Sequence, residues 1–229
     1  MIEIKGITKT YHTGGESLTA LNKIDLRIEK GEFTSIMGPS GSGKSTMMNI
    51  LGLLDRFDAG TYFLNGQNVS NLTDNESALV RNKEIGFIFQ SFNLMPRMTI
   101  LENVELPMVY ANVSKKERRE RALKALDRVG LSDRVKHRPN EISGGQKQRV
   151  AIARAIVNEP SVLMADEPTG NLDSKTTLEI MRIFQEINAE GTTVVMVTHE
   201  PEVAEYTKRV VLFKDGEIQD DRNQTQKTI

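Results

Sequence analysis

Gly38-Pro39-Ser40-Gly41-Ser42-Gly43-Lys44-Ser45 matches the spacing G-x-x-x-x-G-K-[ST]. The residues before it, Phe33–Met37, form a short apolar run that reads as a strand. Those after it, Lys44–Leu54, carry a helical pattern. Glycines at such a strand-to-helix turn let backbone N–H groups point inward around phosphate oxygens. The start of the helix adds further donors and a partial positive charge. Lys44 is a point charge suited to β- and γ-phosphates, the Ser45 hydroxyl suits Mg²⁺, and Thr46 stands beside them. Nucleotide binding by residues 38–46 is the expectation.

Working outward, further apolar runs bounded by Gly or charge read as strands: Ile2–Ile4, Ile24–Ile28, Tyr62–Leu64, Ile85–Phe89, Val162–Ala165, Thr193–Val197 and Val210–Phe213. Thr176–Asn188 reads as a helix stopped by Gly191. Strand–helix–strand alternation predicts an α/β fold with a parallel sheet. From Ser91 to Asn158 the pattern is helical instead. Ser114-Lys-Lys-Glu117 has capping-box spacing, Gly130 closes the helix that follows, and Ser143 is an N-cap for the next one. Asp215-Gly216 is a turn signal between the last two strands. One domain is expected over 1–229: a core of about 1–90 and 159–219, a helical insert of about 91–158, and a polar, frayed tail at 220–229.

A second chemical signal lies far along the chain. Ser161-Val-Leu-Met-Ala165 ends in Asp166-Glu167, which delivers paired carboxylates to the carboxyl end of a buried strand. A plain strand-to-loop transition would also place Asp here. Beside a phosphate loop, Asp166 is expected to hold Mg²⁺ through water and Glu167 to orient or deprotonate an attacking water.

Composition narrows the classes. Lys+Arg 30 against Asp+Glu 31 gives a net charge of -1, without the basic excess of a nucleic-acid binder. With 38% hydrophobic and 27% charged residues the chain can bury a core. There is no cysteine, so thiolate metal sites and cysteine nucleophiles are excluded. The start, Met1-Ile-Glu-Ile-Lys-Gly, lacks signal-peptide character, and no apolar run is long enough to cross a bilayer. The chain is expected to be soluble, with any membrane role exerted through a partner.

Several segments together resemble the ATPases of ABC transporters. Ile142-Ser143-Gly144-Gly145-Gln146-Lys147 resembles the family's signature motif, Gln90 its Q-loop glutamine, His199 its switch histidine, Asn171-Leu172-Asp173 its D-loop, and Tyr11 its aromatic A-loop. The order also matches, over roughly residues 1–220. Ile142 stands where Leu is common, Lys147 where Gln is common, and Gly170 where the family often has a Ser/Ala pattern. The resemblance implies a P-loop NTPase (RecA-like) α/β core with a mainly parallel sheet, an antiparallel β subdomain near the N-terminus and an inserted helical subdomain. It also implies ATP and Mg²⁺ as ligands. Tyr11 would stack on adenine. Gln90 would offer its carbonyl to Mg²⁺ and its amide to water. His199 would steady the γ-phosphate. Ser143, Gly144, Gly145, Gln146 and Asp173 would reach the ATP held by a second copy, so that a C₂ homodimer sandwiches two ATP. His12 and His137 are left as surface residues.

The wording of Ile50–Asp55, Phe87–Leu94, Glu102–Pro107 and Asp166–Asp173 is most similar to the lipoprotein-release and macrolide-export branch (LolD/MacB type). That implies a chain at the cytoplasmic face of the cell membrane, peripheral through an integral membrane permease on a separate polypeptide. An extracytoplasmic adaptor is a further partner of that branch, and no nucleic acid is expected. Import, cell division, and soluble ABC ATPases acting on ribosomes or DNA stand as alternatives. The Met-rich run Phe92–Val104 reads as core of the insert, with part of its face expected to form a groove for a permease helix. Lys115–Arg121, mixed in sign, reads as a solvated face.

Overall fold

The computed structural model describes residues 1–14 and 16–229. The chain runs β1 (Ile2–Thr13), β2 (Glu16–Ile28), β3 (Phe33–Met37), α1 (Lys44–Leu51), β4 (Ala59–Leu64), β5 (Gln67–Asn68), α2 (Asp74–Glu84), β6 (Ile85–Phe89), α3 (Ile100–Tyr110), α4 (Lys115–Arg128), α5 (Gly144–Ile156), β7 (Val162–Asp166), α6 (Ser174–Ala189), β8 (Thr193–Val197), α7 (Pro201–Ala204), β9 (Arg209–Lys214) and β10 (Glu217–Asn223). A six-stranded sheet has the order β10-β9-β3-β8-β7-β6, and a four-stranded sheet has the order β2-β1-β4-β5. In the larger sheet β9, β3, β8, β7 and β6 are parallel, with β10 antiparallel at the edge. The smaller sheet is antiparallel.

Side-chain alternation along the central strands explains the layering. Leu163 and Ala165 of β7 join a cluster with Ile100, Val104, Leu126, Val150 and Phe184 from the helices. Val162 and Met164, pointing the other way, join Met47, Leu51, Ile4 and Tyr62 from α1 and the antiparallel sheet. Both faces are covered, so the parallel strands read as unbroken apolar runs. The expected fold, including the helical insert of α3, α4 and α5, is the one observed.

Register positions the site. Phe89 is paired with Asp166, Asp166 with Val197, Ile36 with Val197, and Met37 with Leu212. The loops carrying Gln90, Glu167, His199 and Gly38 therefore leave one common edge, where ligands bind in open α/β sheets.

Four local expectations need correction. Helix α1 stops at Leu51, because Gly52 caps it and Leu53 turns left-handed at φ 55°. Helix α2 was missing from the sequence reading; it fully buries no residue and packs only Val80 on the core, so it has little apolar periodicity. At Ser114 only one half of the capping box forms, Glu117 N donating to Ser114 Oγ at 3.4 Å. The tail is not frayed. β10 extends to Asn223, Gln224 Nε2 donates to Ala204 O and Thr207 O, and Ile229 packs on the core. Among the described residues no helix is long and apolar enough to cross a membrane.

Candidate functional site: a nucleotide cleft

The phosphate loop is shaped by its neighbours. Gly38 lies so close to the Phe213 carbonyl that no side chain fits there, and a Cβ on Gly43 would stand 2.5 Å from the Ala20 carbonyl oxygen. Gly43, at φ 101°, is the N-cap of α1 and turns the loop into the helix. The predicted turn braces the loop from outside: Gly216 N donates to Ser42 O at 3.1 Å, and Asn22 N to Gly216 O at 2.9 Å. Lys44 is buried, and its Nζ donates to Gly38 O and Pro39 O, both at 2.8 Å. Burial holds its ammonium below the usual lysine range, against the raising pull of Glu167 and Asp166.

A cleft of about 1080 Å³ opens over this loop. Tyr11, Gly38, Pro39, Ser40, Gly41, Gly43, Lys44, Ser45, Thr46, Glu167 and His199 line it, as expected from sequence. Ser42 does not. Its hydroxyl is buried without a hydrogen-bond partner among the described residues, and its N–H donates to Pro39 O at 3.3 Å. Leu18, Thr19, Ala20, Leu212 and Asp215 also line the cleft and were not among the site residues expected from sequence. Leu18 faces Tyr11 across the β1–β2 ladder and is 69% exposed; an apolar side chain left in water beside an aromatic is the one signal that pointed to it.

Tyr11 is held at its hydroxyl and over its ring. Its hydroxyl donates to Asp55 Oδ2 at 2.8 Å, and Lys9 Nζ lies 4.9 Å from the ring centroid. Burial first, and Asp55 with it, raise the phenol's pKa, so the hydroxyl stays a donor.

The carboxylates differ in setting. Asp166 closes β7, and its pKa is raised, first by burial and then by the charge of Glu167, with Lys44 opposing. Glu167 has φ 45°, rare for a side chain of this type and a mark of local strain. Its backbone is fixed by Glu167 N donating to Val197 O at 2.9 Å. Its Oε1 accepts from His199 Nδ1 at 2.9 Å, which requires the proton on Nδ1 because a carboxylate only accepts. Among the described residues no group of three His, Cys, Asp or Glu could hold a metal alone. An oxygen set of the Ser45 hydroxyl, Asp166 and the Gln90 carbonyl suits a hard cation that takes its remaining ligands from phosphate and water, so Mg²⁺ fits these residues.

Gln90, Asp166, Ser143, Gly144, Gly145, Gln146 and Asp173 are not in the lining of the cleft. Gln90 rests against Gly170, whose missing side chain leaves room for its amide, and Asn171 Nδ2 donates to Gln90 O at 3.3 Å. Ser143 caps α5 through a reciprocal box with Gln146: Gln146 N donates to Ser143 Oγ at 3.3 Å and Ser143 N to Gln146 Oε1 at 2.9 Å. Ser143 and Gly144 are exposed, while Ile142 is buried in the core. Asp173 caps α6 by accepting from Thr176, which holds its carboxyl below the usual range. His12 pairs with Ser17, and His137 folds back on Arg134.

A second cavity, about 740 Å³, lies between α2, β6 and α3. Leu54, Leu79, Phe87, Phe89, Leu106 and Tyr110 supply its apolar lining, and Leu79 and Tyr110 are 68% and 69% exposed. Of the Met-rich run, Asn93 lines this cavity. Ile100, Leu101 and Val104 of that run are buried core.

Residues 21–170 match the family model described as ABC transporter. The chain is 60% identical over 218 residues to an uncharacterized ABC transporter ATP-binding protein, YknY of Bacillus subtilis, covering 95% of each. It is 52% identical to the macrolide export ATP-binding/permease protein MacB of Bdellovibrio bacteriovorus, covering 96% of this chain and 34% of that one. The dimeric structure of a post-hydrolysis state of the ATP-binding cassette MJ0796, bound to ADP and Pi, superposes with a TM-score of 0.91 at 46% identity, covering 99% of this chain and 100% of that one. With a phosphate loop, a paired-carboxylate strand end and this degree of identity, the chain belongs to the ABC transporter family, as an ATP-binding cassette with ATPase activity.

Proposed function

We propose that this cassette pairs head-to-tail with a second copy around two ATP and so powers a membrane permease, with export or extrusion as the direction of transport. One observation carries the dimer. The N-terminus of α5 presents the N–H groups of Gly144 and Gly145, donors of the kind that bind phosphate, yet it does not line the cleft holding Lys44. A partner copy related by a two-fold axis supplies the missing wall twice. The dimeric ADP- and Pi-bound relative supports this arrangement. The MacB relatives, named for macrolide export and for a permease, support the direction of transport and the kind of partner. This chain matches about a third of their length and has no membrane-crossing helix among its described residues. Relatives of cassette length, such as YknY with 95% of each chain covered, support a permease on a separate polypeptide, with the cassette at the cytoplasmic face of the membrane through it.

In this reading the residues divide the task. Tyr11 offers its ring to adenine, and the loop amides of residues 38–46 take the phosphates. Lys44 exchanges the Gly38 and Pro39 carbonyls for phosphate oxygens. Ser45, Gln90 and Asp166 would hold Mg²⁺, which when bound would neutralise charge at the phosphates. Glu167 leaves His199 and takes the proton of the attacking water. His199 steadies the γ-phosphate, and Asp173 and Gln146 help order the partner's side. The groove of Leu79, Phe87, Phe89 and Tyr110 receives an apolar helix of the permease.

Capture with tagged Glu167→Gln protein and ATP from detergent-solubilised cells tests the assignment. An integral membrane protein with a large extracytoplasmic domain is the expected companion. Ribosomes or chromosomal proteins in its place would overturn the transport reading and leave the ATP chemistry standing.

A further inference from the structure

The loop that leaves Gln90 adopts an uncommon conformation. Phe92 and Asn93 are consecutive non-glycine residues with left-handed backbones, at φ 59° and 48°. Side chains larger than hydrogen resist this region, and such pairs persist only where their surroundings hold them. Local backbone bonds hold the turn from within, Phe92 N to Phe89 O at 3.1 Å and Asn93 N to Ser91 O at 2.6 Å, and one side chain holds it from outside. Arg154 Nη2 donates to Phe92 O at 2.8 Å and Nη1 to Asn93 O at 2.6 Å. The planar guanidinium spans successive carbonyls, which a lysine ammonium cannot do in the same way. Arg154 is partly buried, and among the described residues no carboxylate lies within ion-pair distance of it. Burial holds its pKa below the usual guanidinium value, as a cation without a counter-ion requires.

The next stretch of the loop is fastened too. Asn103 of α3 is fully buried; its Nδ2 donates to Met95 O, Met98 O and Thr99 O, and its Oδ1 accepts from Met95 N at 2.7 Å. The segment from Phe92 to Thr99 is thereby bound to the helical insert. Gln90 itself hangs from the core, through the Phe89–Asp166 pairing and the Asn171 contact. It sits at the joint between two bodies. Arg154 stands in the last turn of α5, and Ser143 caps the same helix about 15 Å away. Arg154 and Asn93 also line the apolar groove.

We propose that Arg154 is a positioning residue for ATP hydrolysis. It ties the Gln90 loop to the signature helix, so that displacement of α5 at its capped end, or of the groove at its other end, moves Gln90 with it. The proposal rests on the reading of Gln90 as a reaction group and adds the residue that places it.

Three variants and two measurements test this on the whole chain. Arg154→Met should lower kcat for ATP about 10- to 100-fold, the scale of an ångström-sized misplacement, while KM for ATP stays within about twofold. Amide hydrogen exchange should quicken at residues 91–95 and stay unchanged in α1. Arg154→Lys, which reaches only one carbonyl, should recover part of kcat. Gln90→Ala separates the two layers of the argument. If Gln90→Ala slows turnover and Arg154→Met does not, the strut is wrong and the reading of Gln90 survives. If Gln90→Ala leaves kcat at the wild-type value, both fall. Should Arg154→Met fail to fold, Arg154→Lys decides: wild-type kcat together with wild-type exchange at residues 91–95 overturns the proposal.

Discussion

Replacing Gly43 with alanine tests how the phosphate loop is held. At φ 101° an alanine sits outside its favoured backbone regions, at about 1–2 kcal/mol. Its Cβ would stand 2.5 Å from Ala20 O and 3.0 Å from Leu21 Cδ2. The carbonyl belongs to backbone in β2 and has to retreat by about 0.8 Å to restore an ordinary contact. Such overpacking costs about 1–3 kcal/mol. Together these come to about 2–5 kcal/mol, and in a chain of this size each kcal/mol lowers Tm by about 2–4 °C, so a fall near 10 °C is expected. Gly41 is the control. It is also left-handed, at φ 79°, but a Cβ there meets no atom within 4 Å. Gly41→Ala therefore carries the backbone cost alone, and its Tm should fall by roughly 2–8 °C. Thermal unfolding of both variants without nucleotide, followed by circular dichroism, isolates the clash by difference. ATP titration should show Gly43→Ala weakened at least about tenfold, or 1.4 kcal/mol, because the displaced loop carries the phosphate-binding amides. Equal melting of the two variants, or wild-type ATP affinity in Gly43→Ala, would refute the claim that Ala20 and Gly43 fix the loop by contact.

Other predictions follow from the same geometry. Glu167→Gln should bind ATP, hydrolyse it about 10²-fold more slowly and accumulate as an ATP-dependent dimer in size-exclusion chromatography; a monomer at saturating ATP contradicts the two-fold arrangement. Asp166 has a raised pKa, so its contribution to stability is full below the ordinary carboxylate range and is lost as pH rises through the folded value. Asp166→Asn should therefore melt above wild type at neutral pH, with the gap closing toward acid pH, and a pH-independent gap would count against that origin. Leu79→Asp puts a charge into the apolar groove from a position 68% exposed. Its Tm should shift by less than about 2 °C, whereas capture of the membrane protein should be lost; undiminished capture would remove the groove from the docking surface.

Much of the site was legible because its chemistry is local. The phosphate loop and the Ser143 cap with Gln146 close hydrogen bonds within a few residues, and the Asp215-Gly216 turn pairs Lys214 with Glu217, so their spacing announces them. The Asp166-Glu167 pair was legible because an apolar run doubly buried in a parallel sheet rarely ends in two acids by accident. Helix α2 escaped, although Thr73 and Glu76 form a complete capping box, because a helix that fully buries no residue and packs only Val80 on the core has little periodicity to read. The tail was misjudged because its polar residues bind backbone carbonyls of Ala204, Tyr206 and Thr207, groups that only the fold brings near.

Sequence alone thus determined the nucleotide chemistry, the α/β core with its helical insert, and the family, since these depend on short-range patterns of glycine, cap and alternation. Tertiary structure decided which of those residues share one cleft. It turned the Ser42 hydroxyl inward, set the signature helix apart from Lys44, walled the cleft with Leu18, Ala20 and Leu212, and opened an apolar cavity between α2, β6 and α3. It also brought Arg154 onto Phe92 and Asn93, positions 62 and 61 residues away in the chain. Such contacts arise from strand register and helix packing, which are collective properties of the folded core, and no local stretch of sequence contains them.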